Sequence, residues 1–473
     1  MKRCAARVVV GVMAVGLAWS TASGQSARAV DKEKKARLPK DVVLAWVEVM
    51  LDANAIDCGL AVQDAPGPTY TSRAFGIVTA AMCDACNSIR HKHEPYLSEF
   101  SGYNSANLPA AVSVAAHDTL VALFPQQVDR FDDELDYWLR NLPAGQPRAR
   151  GIELGERVAA DILAARAADG SELPMSYTPT DAPGLHQVDP NNPNQPFHAP
   201  QWGLVDTFVI GDAADWLIPP PPALDSQDYT DSYNQVVQYG GDGVTTPTLR
   251  NEEQTIIGIY WAYDGTPGIG KPPRMYNQIV RVIAEQKRNT VEQNARLFAL
   301  VNLAMADAGI QCWFGKYTHE FWRPIVGIRN GDDDTNDDTV GDPDWNPLGA
   351  PYTNGPSGAS NFTPPFPAYA SGHATFGAAT FRVVANFYGT SDIPFDFVSD
   401  EFNGVNTDQD GNVRPRIVRH FDTLDEAAWE NAISRIYLGI HWIFDAEMGV
   451  ASGEAIADYV TEHALLPRKG SRR

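Results

Sequence analysis

Apolar side chains recur at helical spacing over most of the chain. The i, i+3, i+4, i+7 pattern predicts helices over residues 72–89, 109–124, 129–142 and 150–168. It returns over 251–263, 274–286, 291–322, 374–387 and 425–448. Between the two groups, residues 170–246 lose the period. They carry Asp189-Pro190-Asn191-Asn192-Pro193 and the run Pro219 to Pro222, whose fixed φ and missing N–H groups do not continue a helix. This stretch reads as a structured loop or a crossing between bundles. Strand-like alternation is rare and short. The expected fold is mainly α, two packed helical bundles with long loops: residues 30–246 with the Pro-rich crossing, then 247–473.

The first residues follow a different pattern. Lys2, Arg3 and Arg7 precede a short apolar run at 8–19, and Ala27-Arg28-Ala29 gives a small-residue cleavage signal, with cleavage after Gly24 as an alternative. This is the order of a signal peptide, expected at 1–29, and implies a secreted or periplasmic protein. No later apolar run is long enough to span a bilayer, so no membrane insertion is expected.

Charge narrows the choice of ligand. The chain has 37 basic and 59 acidic side chains, a net −22, which becomes −26 once residues 1–29 are removed. Such a surface repels phosphate backbones, so no nucleic-acid partner is expected. An anionic ligand must then be held by a few local cations. Export would permit disulfides for Cys58, Cys83, Cys86 and Cys312. Cys83-x-x-Cys86 lies within a predicted helix and has no second pair to complete a zinc site, so small core residues or one structural disulfide are expected. His91 and His93 read as a polar helix end. The aspartates of 331–346, from Asp332 to Asp344, lack the distal Glu of a calcium loop and read as solvated, as does Asp408 to Asn412.

Three cationic motifs stand out. Lys316 and Arg323 are seven residues apart, which on one helix places them on one face, with Trp313 bordering it and Pro324 ending it. Pro364 to Pro367 exclude helix, after which Ser371-Gly372-His373 opens one. A helix N-terminus with free N–H groups, a glycine, a hydroxyl and an imidazole makes an anion site. Arg435 and His441 lie in a strongly apolar stretch and are expected to be buried, where the Arg needs an anion or a carboxylate. Asp445, four residues after His441, is placed to orient that ring. Each motif alone suits a structural role. Together they match a tetrahedral oxyanion that passes through five-coordinate geometry, its equatorial oxygens neutralised by Lys and Arg and its two apices met by histidines.

K-x6-R-P, S-G-H and S-R-x3-G-x-H, in this order, resemble the signature shared by vanadium-dependent haloperoxidases and type 2 phosphatidic-acid/acid phosphatases. The chain is most similar to fungal-type vanadium chloroperoxidases. That likeness extends to Tyr260-Trp261-Ala262-Tyr263-Asp264-Gly265, Pro272-Pro273-Arg274, Ala295 to Leu300, Phe321-Trp322-Arg323-Pro324, Pro365 to Gly377, Arg416 to Asp422 and Glu430 to Ser434. It is strong over residues 250–450 and diffuse before them. Ala370 stands where the family has a proline, which removes rigidity but no ligand.

The resemblance implies vanadate as cofactor, with hydrogen peroxide and a halide, chloride or bromide, as substrates. It implies that His441 bonds the metal, with Asp445 behind it. Lys316, Arg323, Ser371, Gly372 and Arg435 would hold the oxygens, with Asp264 as the carboxylate partner of Arg435. His373 would be the acid–base group, Lys316 would polarise the peroxide, and Trp313 and Phe366 would border the halide. The alternative is an exported acid phosphatase, with His441 as nucleophile and His373 as acid. The soluble phosphatases of this superfamily are usually much shorter, so length favours the haloperoxidase.

Overall fold

The computed structural model describes residues 38–174 and 176–468. The expected signal peptide lies outside them. Residues 38–40 are non-helical, and the chain from Asp41 onward forms one compact unit.

Among the described residues the first five helices are α1 (Val42–Asp57), α2 (Gly67–Arg90), α3 (Leu108–Leu123), α4 (Val128–Asn141) and α5 (Gln146–Arg166). They are followed by α6 (Gln227–Tyr239), α7 (Glu252–Tyr260), α8 (Pro272–Lys287), α9 (Val291–His319) and α10 (Pro324–Arg329). The last three are α11 (Gly372–Tyr388), α12 (Leu424–Tyr437) and α13 (Ile443–His463). The only sheet among the described residues pairs β1 (Phe395–Phe397) with β2 (Arg419–Phe421), antiparallel, with Asp396 opposite His420. The fold is mainly α, as expected.

Several boundaries differ from the periodicity, each for a local reason. The α1 helix was not expected, because its apolar residues are not confined to one stripe and show no amphipathic period; Asp41 caps it by accepting from the N–H groups of Val43 and Leu44. The α6 helix lies inside the stretch read as irregular and is capped by Ser226. The predicted helix over 291–322 stops at His319, where Glu320 turns left-handed (φ 48°). The predicted helix over 425–448 is two helices, broken at Leu438 to Trp442 with Gly439 at φ 70°. All four described cysteines are free and buried, so they are core residues with no disulfide between them. Asp334 of the acidic segment is buried against Thr339, while Asp332, Asp333, Asp337 and Asp338 are exposed.

Helix α9 is the centre of the core. It is the one unbroken helix among the described residues long and apolar enough to cross a membrane, and 94% of that stretch is buried by its neighbours. Helices α2, α11 and α13 pack around it. The tightest approach is between α11 and α13, where a Cβ added to Gly449 would meet the Ser371 carbonyl oxygen at 2.8 Å. That contact brings the start of α11 against the start of α13.

Candidate active site

Lys316 lies in the last turn of α9 and is fully buried. Its Nζ donates to the carbonyls of Pro367 and Ala368, each at 2.8 Å, and to that of Ala370. Burial pushes its ammonium down to about 7, and the nearby Arg323 charge adds to this, while Cys312 and Asp445 oppose it. Arg323 does not share a helix face with Lys316. It is the N-cap of α10, beyond the left-handed break at Glu320. The two cations converge because the proline-fixed segment 366–370 runs between them: Arg323 Nε donates to the Phe366 carbonyl at 2.8 Å.

Ser371 caps α11, and its own N–H donates to the Asp445 carbonyl at 2.9 Å. Gly372 and His373 open the helix, where backbone N–H groups lack intrahelical acceptors. A Cβ on Gly372 would press at 3.3 Å on the Trp313 ring. His373 Nε2 lies 2.6 Å from the Ala262 carbonyl, which only accepts, so Nε2 carries the proton and Nδ1 is bare. Tyr276 and Asn431 hold the His373 carbonyl in turn. Burial, then the charges of Arg435, Arg323 and Lys316, hold the His373 pKa well below the ordinary histidine value.

Arg435 and His441 are not on one helix. Arg435 ends α12, His441 sits in the turn after it, and Asp445 lies in the first turn of α13. Arg435 Nη2 donates to both oxygens of Asp264, at 2.9 and 3.0 Å. The left-handed Tyr263 (φ 42°) lets adjacent residues serve two partners: Ala262 faces His373 and Asp264 faces Arg435. Arg323 Nη1 donates to His441 Nε2 at 2.9 Å. A guanidinium is donor only, so Nε2 is the bare nitrogen and Nδ1–H donates to Asp445 Oδ2 at 2.8 Å. Asp445 Oδ2 also accepts from the Trp442 N–H at 3.0 Å, and burial raises its carboxyl to about 7.

Three guanidinium nitrogens in this site are buried without partners among the described residues: Arg323 Nη2, Arg435 Nε and Arg435 Nη1. Unpaired donors on buried cations are costly unless an anion meets them. With the start of α11 and the bare Nε2 of His441, they form a donor set that fits a tetrahedral oxyanion carrying one coordination position for nitrogen, which is the chemistry of vanadate. No cluster of three or more His, Cys, Asp or Glu suited to a metal cation occurs among the described residues.

Residues 296–470 match a family model described as the second helical-bundle domain of vanadium chloroperoxidase. The chain is 36% identical over 488 residues to vanadium chloroperoxidase of Curvularia inaequalis, an overlap of 85% of this chain and 79% of that protein. It belongs to the vanadium haloperoxidase family.

Among solved haloperoxidases of this family, a bacterial vanadium-dependent iodoperoxidase superposes with a TM-score of 0.73 at 23% identity, covering 92% of this chain and 100% of that one. A bacterial vanadium-dependent chloroperoxidase in its holo form gives 0.64 at 18% identity, covering 87% and 95%. Both show the shared fold.

The aromatic pair expected at the haloperoxidase halide position is brought together, with Trp313 and Phe366 ring centroids 4.8 Å apart. Lys316 Nζ lies 5.1 Å from the Phe366 centroid, and the Arg323 guanidinium lies 4.8 Å from it. Sequence reasoning missed His198, which packs on both rings at 5.9 and 6.1 Å. It comes from the Pro-rich stretch, where a single histidine has no periodic context to mark it.

Proposed function

We propose that this protein is a vanadate-dependent haloperoxidase that oxidises chloride or bromide with hydrogen peroxide to hypohalous acid. The observation that carries this reading is the set of three buried guanidinium nitrogens without partners among the described residues, beside a histidine whose unprotonated Nε2 accepts from Arg323 Nη1. Vanadate, when bound, supplies the Lewis-acid centre that takes up peroxide and passes one oxygen to halide.

The chain's own residues do the rest. Arg323 and Arg435 neutralise the oxyanion, and Asp264 keeps the Arg435 fork aimed. Ser371 and the Gly372 N–H supply neutral donors at the positive end of α11. His441 presents Nε2 as ligand, because Asp445 holds the proton on Nδ1. His373, neutral and bare at Nδ1, accepts a proton from incoming peroxide and returns it to the departing water. Lys316, its Nζ held by three main-chain carbonyls and its pKa lowered to about 7, would place its positive charge beside the oxidant as halide attacks. The overall change consumes hydrogen peroxide, halide and one proton and yields hypohalous acid and water. Export after loss of residues 1–29 is part of the same proposal, and N-terminal sequencing of the mature protein checks it.

The test is halogenation of monochlorodimedone with hydrogen peroxide and halide, with and without orthovanadate. Vanadate-dependent halogenation is expected. Its absence, together with strong phosphomonoester hydrolysis, would establish the phosphatase alternative instead. His441→Ala is expected to abolish activity and to weaken vanadate binding, measured by equilibrium dialysis.

A further inference from the structure

His198 is held against the Trp313–Phe366 pair by its own main chain. Its N–H donates to the Pro365 carbonyl at 3.0 Å, and its carbonyl accepts from Trp313 Nε1 at 3.4 Å and from the Tyr317 hydroxyl at 2.7 Å. The ring stands edge-on to Trp313, with an interplanar angle of 89°. These bonds tie a loop of the first half of the chain to the aromatic pair of the second.

The far side of the ring lies against the start of α2. Gly67 there has φ 66°, and a Cβ at this position would sit 2.2 Å from His198 Cε1 and 2.3 Å from Nε2. Only a residue without a side chain leaves room for the imidazole. Thr69 Oγ1 lies 2.9 Å from Nε2. The Thr69 hydroxyl has no other acceptor among the described residues, so its hydrogen goes to Nε2. The proton of the neutral ring then sits on Nδ1, which has no partner among the described residues. Burial, with a smaller contribution from Lys271, lowers the ring's pKa to about 4, so it stays neutral at pH 7. The ring as a whole stands beside the aromatic pair, its centroid 5.9 Å from that of Trp313 and 6.1 Å from that of Phe366. The ring is part-exposed, as is Phe366, whereas Trp313 is buried.

We propose that His198 is a specificity-determining residue of this enzyme, its Nδ1–H serving as a neutral side-chain donor beside the aromatic pair and favouring chloride over larger halides. This rests on the haloperoxidase reading above. Aromatic rings offer a halide little in return for its hydration shell. Chloride is smaller and more strongly hydrated than bromide, so it loses more when a donor is missing. A site built around one hydrogen bond discriminates against whatever depends on that bond once it is removed.

The experiment compares the vanadate-loaded wild type with His198→Leu, which removes the donor, and His198→Asn, whose amide places an N–H near the Nδ1 position. His198→Leu is expected to raise the KM for chloride about tenfold, the effect of one lost hydrogen bond. The KM for bromide should rise by less than about threefold, kcat for both should hold, and His198→Asn should stay near wild type. Crystals of the vanadate-free protein soaked in bromide should show an anomalous peak within hydrogen-bond reach of the His198 ring in the wild type, and in His198→Leu a peak displaced from that position. Equal shifts for both halides, or no shift in the chloride KM, overturn the assignment. Should His198→Leu misfold, Thr69→Val frees the tautomer, and a chloride-selective KM increase is again required. A wild type without vanadate-dependent halogenation defeats the functional reading and this inference with it. Normal wild-type halogenation with a silent His198→Leu defeats the inference alone.

Discussion

Asp445→Asn separates charge from shape in the group behind His441, the proposed metal ligand. The amide is nearly isosteric, and its oxygen can still accept from His441 Nδ1–H and the Trp442 N–H, the 2.8 and 3.0 Å bonds of the wild type. What it loses is the negative charge that makes His441 a stronger ligand. A hydrogen bond to a charged group is worth about 1.5–3 kcal/mol against about 0.5–1.5 for a neutral one. The difference of about 1–1.5 kcal/mol weakens vanadate binding about tenfold, and removal of such outer partners elsewhere costs about 10–100-fold. Stability without vanadate should change little, because the wild-type Oδ1 is already buried without a partner among the described residues. Burial raises the Asp445 carboxyl to about 7, so it is ionised above that pH and neutral below it. The ratio of variant to wild-type Kd should therefore be largest near pH 8.5 and shrink toward one as pH falls below 7. The assay is equilibrium dialysis of the vanadate-free proteins across that range, with thermal melts as the folding control. A variant that binds as tightly as wild type at pH 8.5, or a ratio independent of pH, would refute the role assigned to Asp445.

Two further outcomes follow from the same geometry. Lys316 is protonated in the empty site below about 7 and must be charged against a bound anion, so binding takes up a proton above that pH. The affinity advantage of wild type over Lys316→Met should fall as pH rises through 7, and expressing it as a ratio at each pH cancels vanadate's own ionisation. Gly449→Ala and Gly453→Ala both force α11 and α13 apart, since the new Cβ atoms would meet the carbonyl oxygens of Ser371 at 2.8 Å and Thr375 at 2.3 Å. Each should cost about 1–3 kcal/mol in denaturant melts. Only Gly449→Ala displaces the Ser371 cap, so it should also weaken vanadate binding several-fold more than Gly453→Ala does.

The helical class of this protein, the start of α11 at Ser371 and the three cationic motifs were legible in the order of residues alone. Periodicity, proline placement and the scarcity of cations in an acidic chain are local properties, and they survive folding. The resemblance of those motifs to the haloperoxidases was likewise readable before any coordinates. The sequence could not reveal how the cations meet. Helical spacing argued for Lys316 and Arg323 on one face, and continuous periodicity for Arg435 and His441 on one helix. Both pairs are instead split by left-handed breaks at Glu320 and Gly439. Their convergence depends on segment 366–370 threading between Lys316 and Arg323, and on α13 approaching α11 through Gly449. Such contacts join residues far apart in the chain, and no local pattern encodes them. The same holds for α1, whose apolar residues show no amphipathic period, and for His198, which reaches the aromatic pair only because a long irregular loop is pinned across the core. The tautomer of His441 was also a tertiary decision: it took a donor from one segment and an acceptor from another to place the bare nitrogen where an oxyanion would bind.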